Sequence, residues 1–233
     1  MQRSKFINSL FFSIRKEKFM LLDREYKVPS KINSKISLKV VPGHFATTSS
    51  HINFYMDMTT LKVRQKEAAE VAKQMAMEYQ YSTPIDTIVC MDGCEIIGSC
   101  LAEELTQNGI MSLNHHNSLY VITPELDNNG QMIFRDNLKP MVRNKNILLL
   151  LASATTGRTI ARSLECLQYY GGIVQGISAI FSAAKEIYGH QVHCIFSTAD
   201  LPTYQTFNQE ECPYCKNKEK IDAIVNGFGY SEL

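Results

Sequence analysis

Apolar and polar positions along this chain follow two periods, and the switches between them mark out its elements. Between Leu61 and Tyr79, the apolar residues Leu61, Val63, Ala68, Ala69, Val71, Ala72, Met75 and Ala76 are separated by Lys, Arg, Gln and Glu. That is the stripe of an amphipathic surface helix. Downstream, short apolar runs alternate with helical patterns. Asp86–Met91 reads as a strand, Glu95–Asn108 as a helix, Ile110–Leu113 and Ser118–Thr123 as strands, Ile147–Leu151 as a strand and Thr156–Tyr170 as a helix. Gly171 and Gly172 close that helix, because glycine accepts the left-handed backbone of a C-terminal cap. Ile173–Ile180 is the next strand and His193–Phe196 the last. Residues 31–60 mix β-branched residues with Gly, Ser and Thr and predict short strands and turns, a cap and not a core. Strands alternating with helices of this length imply an α/β fold with a mainly parallel central sheet, right-handed crossovers and covered faces.

In such sheets ligands bind beyond the carboxyl ends of the strands. That rule selects two loops, Met91–Glu95 and Ala152–Gly157. The second lies in the stretch Asn146–Thr159, where an apolar run empties into Ser-Ala-Thr-Thr-Gly and a helix begins. The first N–H groups of a helix lack intrahelical partners and carry the positive end of its dipole, so they favour an anion. Thr155, Thr156 and Thr159 add hydroxyl donors, Gly157 permits unusual dihedrals and Arg158 supplies charge. A buried strand followed by a Ser/Thr-capped helix explains the same residues without a ligand. Segment 124–145, with Asp127-Asn-Asn-Gly130, is polar and turn-rich and reads as a mobile excursion over these loops.

With 233 residues the chain suffices for one α/β domain and an appendage. A formal net charge of +1, with no dense Lys/Arg stripe, excludes electrostatic capture of nucleic acid, so any phosphate site is local. Near the amino terminus, Phe6–Ile14 follows two basic residues as a signal peptide would. Asn8 and Ser9 interrupt it, Arg15–Lys18 follows, and it is too short to span a membrane. Seven cysteines without a secretory signal then indicate a reducing, cytoplasmic setting without structural disulfides. Met20 is an alternative start, which makes the first nineteen residues a dispensable segment.

Several clusters carry candidate chemistry. Asp92 and Glu95 stand where carboxylates can recruit Mg²⁺, or where Asp92 caps a helix and Glu95 complements its dipole. Gly93 suits a tight turn, and Cys90, Cys94, Cys100 and Cys166 read as small core hydrophobes. His115-His116 cannot chelate one ion from a continuing strand, since neighbouring side chains point to opposite faces. Cys212-Pro-Tyr-Cys215 has the spacing of half a zinc site. His190, His193, Cys194 or a second subunit can complete it; otherwise it is a packed thiol turn. Tyr169-Tyr170 and Phe228-Gly-Tyr230 suit packing anchors more than base stacking.

Taken in order, four stretches between about residue 40 and residue 233 resemble the type I phosphoribosyltransferases, most closely the orotate enzymes. Gly43–Ser50 followed by Asn53–Asp57 is similar to the family's Gly-x-Phe-x-x-x-Ser-Gly stretch leading to Tyr-x-Asp. Asp86–Ala102 resembles its pyrophosphate loop and helix, and Asn146–Thr159 its phosphoribosyl pyrophosphate loop. Glu211–Lys216 resembles a Cys-Pro-x-Cys-Lys tail found in one branch. The resemblance implies a type I phosphoribosyltransferase fold over residues 36–233, after an extension of 1–35. A small hood, from 36–60 and the C-terminal segment, would cover the base with Phe45, Tyr55 and Asp57. It places the 5′-phosphate on Ser153, Ala154, Thr155, Thr156, Gly157, Arg158 and Thr159, and the pyrophosphate on Met91, Asp92, Gly93, Cys94 and Glu95. The ligand would be phosphoribosyl pyrophosphate or a nucleoside monophosphate, the ion Mg²⁺ and the assembly a cytoplasmic homodimer.

Two departures bear on activity. The family runs Asp-Asp-Val-x-Thr-Thr-Gly into its phosphate loop, and here the acidic pair is Leu151-Ala152. The orotate enzymes carry Lys and His in a mobile loop, whereas Leu119–Gly130 has two acids and no Lys, Arg or His. One preorganised donor lost from such a site often costs about 2.7–4 kcal/mol; Arg135, Lys139, Arg143 and Arg158 are the candidates to compensate. The expected function is therefore phosphoribosyl transfer of the orotate type, the alternative a catalytically degenerate nucleotide-binding or sensor protein.

Overall fold

The computed structural model describes residues 21, 23–107, 113–114, 118–127 and 131–233. They form two compact units. The larger comprises 29–37 and 58–203; the smaller comprises 38–57, 204–233 and the described residues up to 28.

In the larger unit the sheet order is Tyr120–Ile122, Thr87–Cys90, Asn146–Ala154, Ile173–Ser182 and His190–Ser197, all parallel, with Glu186–Ile187 added antiparallel at one edge. Ile147–Leu151 is a continuous apolar run with no exposed surface, as a strand buried on both faces requires. Helix Arg158–Tyr169 buries Ile160, Ser163 and Leu167, one stripe of its surface. It ends in a Schellman cap: Gly171, at φ 79°, donates its N–H to Gln168 O and Gly172 donates to Leu167 O at 2.8 Å. Close contacts fix how the other elements dock. Helix Glu95–Gln107 passes Cys90 so closely that a Cβ on Gly98 would overlap the sulfur, and a Cβ on Gly176 would lie 2.5 Å from the Tyr79 ring.

Several expectations change. The helix expected over 61–79 is two, Thr59–Val63 and Gln65–Ala76, because Arg64 is extended at φ −91° and ψ 117°. The break shifts the helical phase, and Lys62, on the expected polar face, is buried. The segment expected as a mobile excursion is anchored beyond residue 130, since Met132, Phe134 and Val142 join the core. The strand expected over Ile110–Leu113 falls largely outside the described residues, and Leu113 lies in a turn. Asn114 is buried there, accepting the Ile85 N–H at 2.8 Å and donating to Thr83 O at 3.0 Å. His115, His116 and the first nineteen residues lie outside the described residues.

The smaller unit is a sheet in the order Thr206–Phe207, His51–Asp57, Ser37–Ala46, Ala223–Asn226 and Gly229–Glu232, with Tyr26–Pro29 also paired to Ser37–Ala46. Part of the expected extension is thus built in; Arg24 pairs with Asp222 at 2.9 Å and Glu25 with Lys39 at 3.2 Å. His193–Phe196 is not the last strand. The three later ones have two to four residues each, too short for a periodic signature. Among the described residues no helix is long and apolar enough to cross a membrane.

Candidate functional site

The two loops singled out by the carboxyl-end rule leave adjacent parallel strands, Thr87–Cys90 and Asn146–Ala154. The second loop is shorter than expected. Ser153 pairs with Phe181 and Ala154 with Ser182, so the strand runs to Ala154 and only Thr155, Thr156 and Gly157 remain as loop. Ala152, Ser153 and Ala154, expected in the loop, are therefore sheet, and the helix starts at Arg158, not Thr156. Gly157 is its N-cap in the left-handed region, at φ 73°, and no side chain caps the helix. The hydroxyl-capped helix offered as the bland explanation is not formed. The first-turn N–H groups are left to an external acceptor or water, with Thr156, Arg158 and Thr159 exposed around them and Thr155 partly so.

The first loop turns through two successive left-handed residues, Asp92 at φ 55° and Gly93 at φ 76°. Met91 donates its N–H to Leu150 O at 2.8 Å, and Cys94 donates back to Met91 O at 3.1 Å, which closes the turn. Asp92 is partly buried. Burial pushes its pKa up, against the opposing pull of the Ala152 backbone N–H and of the Lys62 ammonium. Lys62 Nζ donates to Asp92 O at 2.9 Å. Glu95 is exposed in the first helical turn and accepts the Thr123 hydroxyl at 3.0 Å. Cys94 is buried, as is Cys90, whose thiol burial raises to about 12. Leu151 and Ala152, where the resemblance would place acids, are core residues.

The sequence marks Lys62 only weakly, by its position in Leu61-Lys62-Val63, where an apolar residue on each side defeats a clean helical stripe.

Other expected site residues lie elsewhere. Phe45 and Tyr55 are buried in the smaller unit, their rings 5.9 Å apart, and Tyr230 meets Tyr55 edge-on at 5.1 Å. Their rings serve that unit's own packing and present no face to a base; Asp57 is half-buried, 4.0 Å from Lys39. Arg135 pairs with Glu125 at 2.6 Å and Lys139 with Asp136 at 2.6 Å, both exposed ion pairs. Tyr170 packs on Phe134, whereas Tyr169 and Phe228, expected as anchors, are exposed. Cys212 and Cys215 meet His44 and His51, and not His190, His193 or Cys194. Those three belong to the other unit, where His193 faces Glu78 at 3.4 Å.

No family model matches the sequence, and no curated protein does. Solved structures match. Leishmania donovani UMP synthase superposes with a TM-score of 0.50 at 17% identity, over 70% of this chain and 34% of that one. A Mycobacterium tuberculosis orotate phosphoribosyltransferase solved with phosphoribosyl pyrophosphate gives 0.46 at 14% identity, over 63% and 82%. The fold is that of the type I phosphoribosyltransferases. An adenine phosphoribosyltransferase from Thermoanaerobacter pseudethanolicus is similar too, with a TM-score of 0.45 at 14% identity over 76% and 98%. This chain spans about a third of the Leishmania protein's length. In a phosphoribosyltransferase fold of this kind, Met91–Glu95 and Thr155–Gly157 stand at the sheet end where ligands of parallel sheets bind.

Proposed function

We propose that this protein binds a 5-phosphoribosyl ligand, phosphoribosyl pyrophosphate or a nucleoside monophosphate, and transfers the phosphoribosyl group to a base of the orotate class. One observation carries the reading: an uncapped helix start follows one strand of the sheet and the Asp92–Gly93 turn follows the adjacent parallel strand, so the first-turn N–H groups and a carboxylate-bearing loop share one sheet end. Thr155, Thr156, Gly157, Arg158 and Thr159 hold the 5′-phosphate, with Ser153 and Ala154 shaping the approach. Met91–Glu95 faces the pyrophosphate. Its carboxylates, Asp92 and Glu95, are the oxygen donors suited to a Mg²⁺ that also keeps phosphate oxygens and water, and that ion would offset phosphate charge. In the transfer a base nitrogen forms a bond to the anomeric carbon while the bond to pyrophosphate breaks. The electron pair leaves with the pyrophosphate, and the nitrogen loses its proton to solvent. The protein works as a cytoplasmic homodimer.

A second reading, a nucleotide-binding sensor that performs no transfer, is favoured by Leu151 and Ala152, which give the ribose hydroxyls no carboxylate. Calorimetry with phosphoribosyl pyrophosphate, orotate and nucleoside monophosphates, with and without Mg²⁺, paired with a pyrophosphate-release assay, separates the two. Release with any base supports transfer, and monophosphate binding without release supports the sensor. No binding of any phosphate ligand, with Gly157→Asp behaving as the parent, refutes both.

A further inference from the structure

We propose that His44, His51, Cys212 and Cys215 form a structural zinc centre inside the smaller unit. The hairpin's register brings the two imidazoles together. His51 pairs with Ala46, and His44 sits in the β-bulge between Pro42 and Phe45, just before that paired stretch, with its Nε2 brought to His51 Nδ1. The thiols come from the N-cap of the short helix Pro213–Lys216 and from its third residue. The four ligand atoms lie within 4.8 Å of one another.

Their separations are those of a tetrahedron. With Zn–N of about 2.05 Å and Zn–S of about 2.3 Å, tetrahedral angles require roughly 3.3 Å between nitrogens and 3.5 Å between nitrogen and sulfur. His44 Nε2 is 3.0 Å from His51 Nδ1, 3.5 Å from Cys212 Sγ and 3.6 Å from Cys215 Sγ, and His51 Nδ1 is 3.3 Å from Cys215 Sγ. Three heteroatoms thus converge on one imidazole nitrogen, which has a single lone pair to share; a cation among them accounts for all the contacts at once.

The surroundings prepare the ligands. His44 Nδ1 lies 3.2 Å from both Glu219 O and Lys220 O, so it carries the proton and leaves Nε2 free to ligate, the usual orienting arrangement for a metal-bound histidine. Tyr214 stacks on the His44 ring at 5.2 Å and 22°. His44, His51 and Cys212 are buried while Cys215 is exposed, which leaves an entry path. Two thiolates neutralise Zn²⁺, so the filled centre carries no net charge into a mostly buried place. A closed set of two sulfurs and two nitrogens is a structural zinc site with no position open for a substrate. Its role is to tie the hairpin turn to the C-terminal segment, whatever ligand the larger unit binds.

The full chain, expressed without a metal-binding tag in zinc-replete medium, is analysed for metal by mass spectrometry; one zinc per chain is expected. Cys215→Ser and His51→Ala should lose it and melt at lower temperature, while Cys194→Ser should keep it. Chelated parent protein should take up Co²⁺ with the thiolate charge-transfer and strong visible bands of a tetrahedral site, a readout that stands even where a variant fails to fold. Parent protein that is metal-free as isolated and takes up neither Zn²⁺ nor Co²⁺ overturns the proposal, as do ligand variants that retain a full zinc. Phosphate-ligand binding is scored separately, so either reading can fail without the other.

Discussion

One carbon added at Gly98 should be penalised by a neighbouring sulfur, and a second substitution should lift that penalty. A Cβ at this position would overlap Cys90 Sγ and lie 3.1 Å from Val121 Cγ1. Cys90 is fully buried, so its sulfur can move only by displacing other core atoms. Overpacking of this kind costs about 1–3 kcal/mol, while replacing Gly by Ala inside a helix returns about 1 kcal/mol. Gly98→Ala should therefore destabilise by ~0–2 kcal/mol, lowering the melting temperature by about 2–4 °C for each kcal/mol in a protein of this size. In a Cys90→Ala background the sulfur is gone. The same Gly98→Ala change should then be neutral or stabilising by up to ~1 kcal/mol, with only the Val121 contact resisting it. Urea unfolding of the parent, the two single variants and the double variant gives the coupling energy, expected to fall within about 0.5–3 kcal/mol for residues in contact. Equal effects of Gly98→Ala in both backgrounds would refute the reasoning, because helix and strand would then not be held apart by that sulfur.

Further perturbations address the loops and the core. Gly157→Asp puts a side chain at φ 73°, with its Cβ 3.2 Å from Ile187; that strain should cost about 1–2 kcal/mol, partly offset by the ~0.3–1 kcal/mol that a negative charge gains at a helix start. The substitution should also weaken phosphoribosyl pyrophosphate binding at least about tenfold in calorimetry, since like charges at a helix start oppose an anion. Asp92 has a folded pKa above its ordinary 3.8, so its ionised form is a cost of folding at neutral pH. The unfolded chain releases that proton more readily than the folded one. Stability should accordingly rise as pH falls through the folded pKa towards 3.8, and urea titrations of Asp92→Asn should lack this gain. Tyr79→Phe removes a buried hydroxyl bonded to Ser178 Oγ at 2.8 Å and Ile177 O at 3.2 Å; chemical denaturation should show a loss of about 1–2 kcal/mol.

The parts legible in the sequence are those whose periodicity is enforced locally. Ile147–Leu150 is apolar at every position because both sheet faces are covered, and Arg158–Tyr169 shows its stripe because one face meets the core. The run of the strand through Ser153 and Ala154 was not legible, since small residues there are extended only by pairing with Phe181 and Ser182. Ala223–Asn226 alternates buried and exposed residues over four positions, too few to distinguish from chance. The metal-ligand cluster was half visible. Cys212 and Cys215 announce themselves by spacing, but His44 and His51 join them only through a hairpin register and a contact across more than 160 residues. Two histidines flanking the Thr47–Ser50 turn were the available signal, and it has meaning only once the turn is known.

Asp92 shows the same limit at the site itself. Read along the chain, Leu151-Ala152 is a loss: the strand that leads into Thr-Thr-Gly brings no acid with it. In three dimensions the neighbouring parallel strand ends one residue short of a tight left-handed turn, and that turn brings Asp92 close enough to Ala152 for the backbone N–H there to favour its charged form. A carboxylate therefore stands against the backbone of the position where the resemblance expected one, delivered from 60 residues away with the Lys62 ammonium beside it. The two positions are not equivalent. Asp92 comes from the adjacent loop, and burial raises its pKa, so it holds its charge less readily than an ordinary carboxylate. If Asp92 serves the reaction, Asp92→Asn, which preserves size and removes the buried charge, should keep the fold and lose pyrophosphate release. If the protein only binds nucleotides, the same variant should bind a nucleoside monophosphate as well as the parent or better, since a negative charge near the phosphate would be gone. The substitution thus distinguishes transfer from sensing at the residue where sequence and structure disagree most.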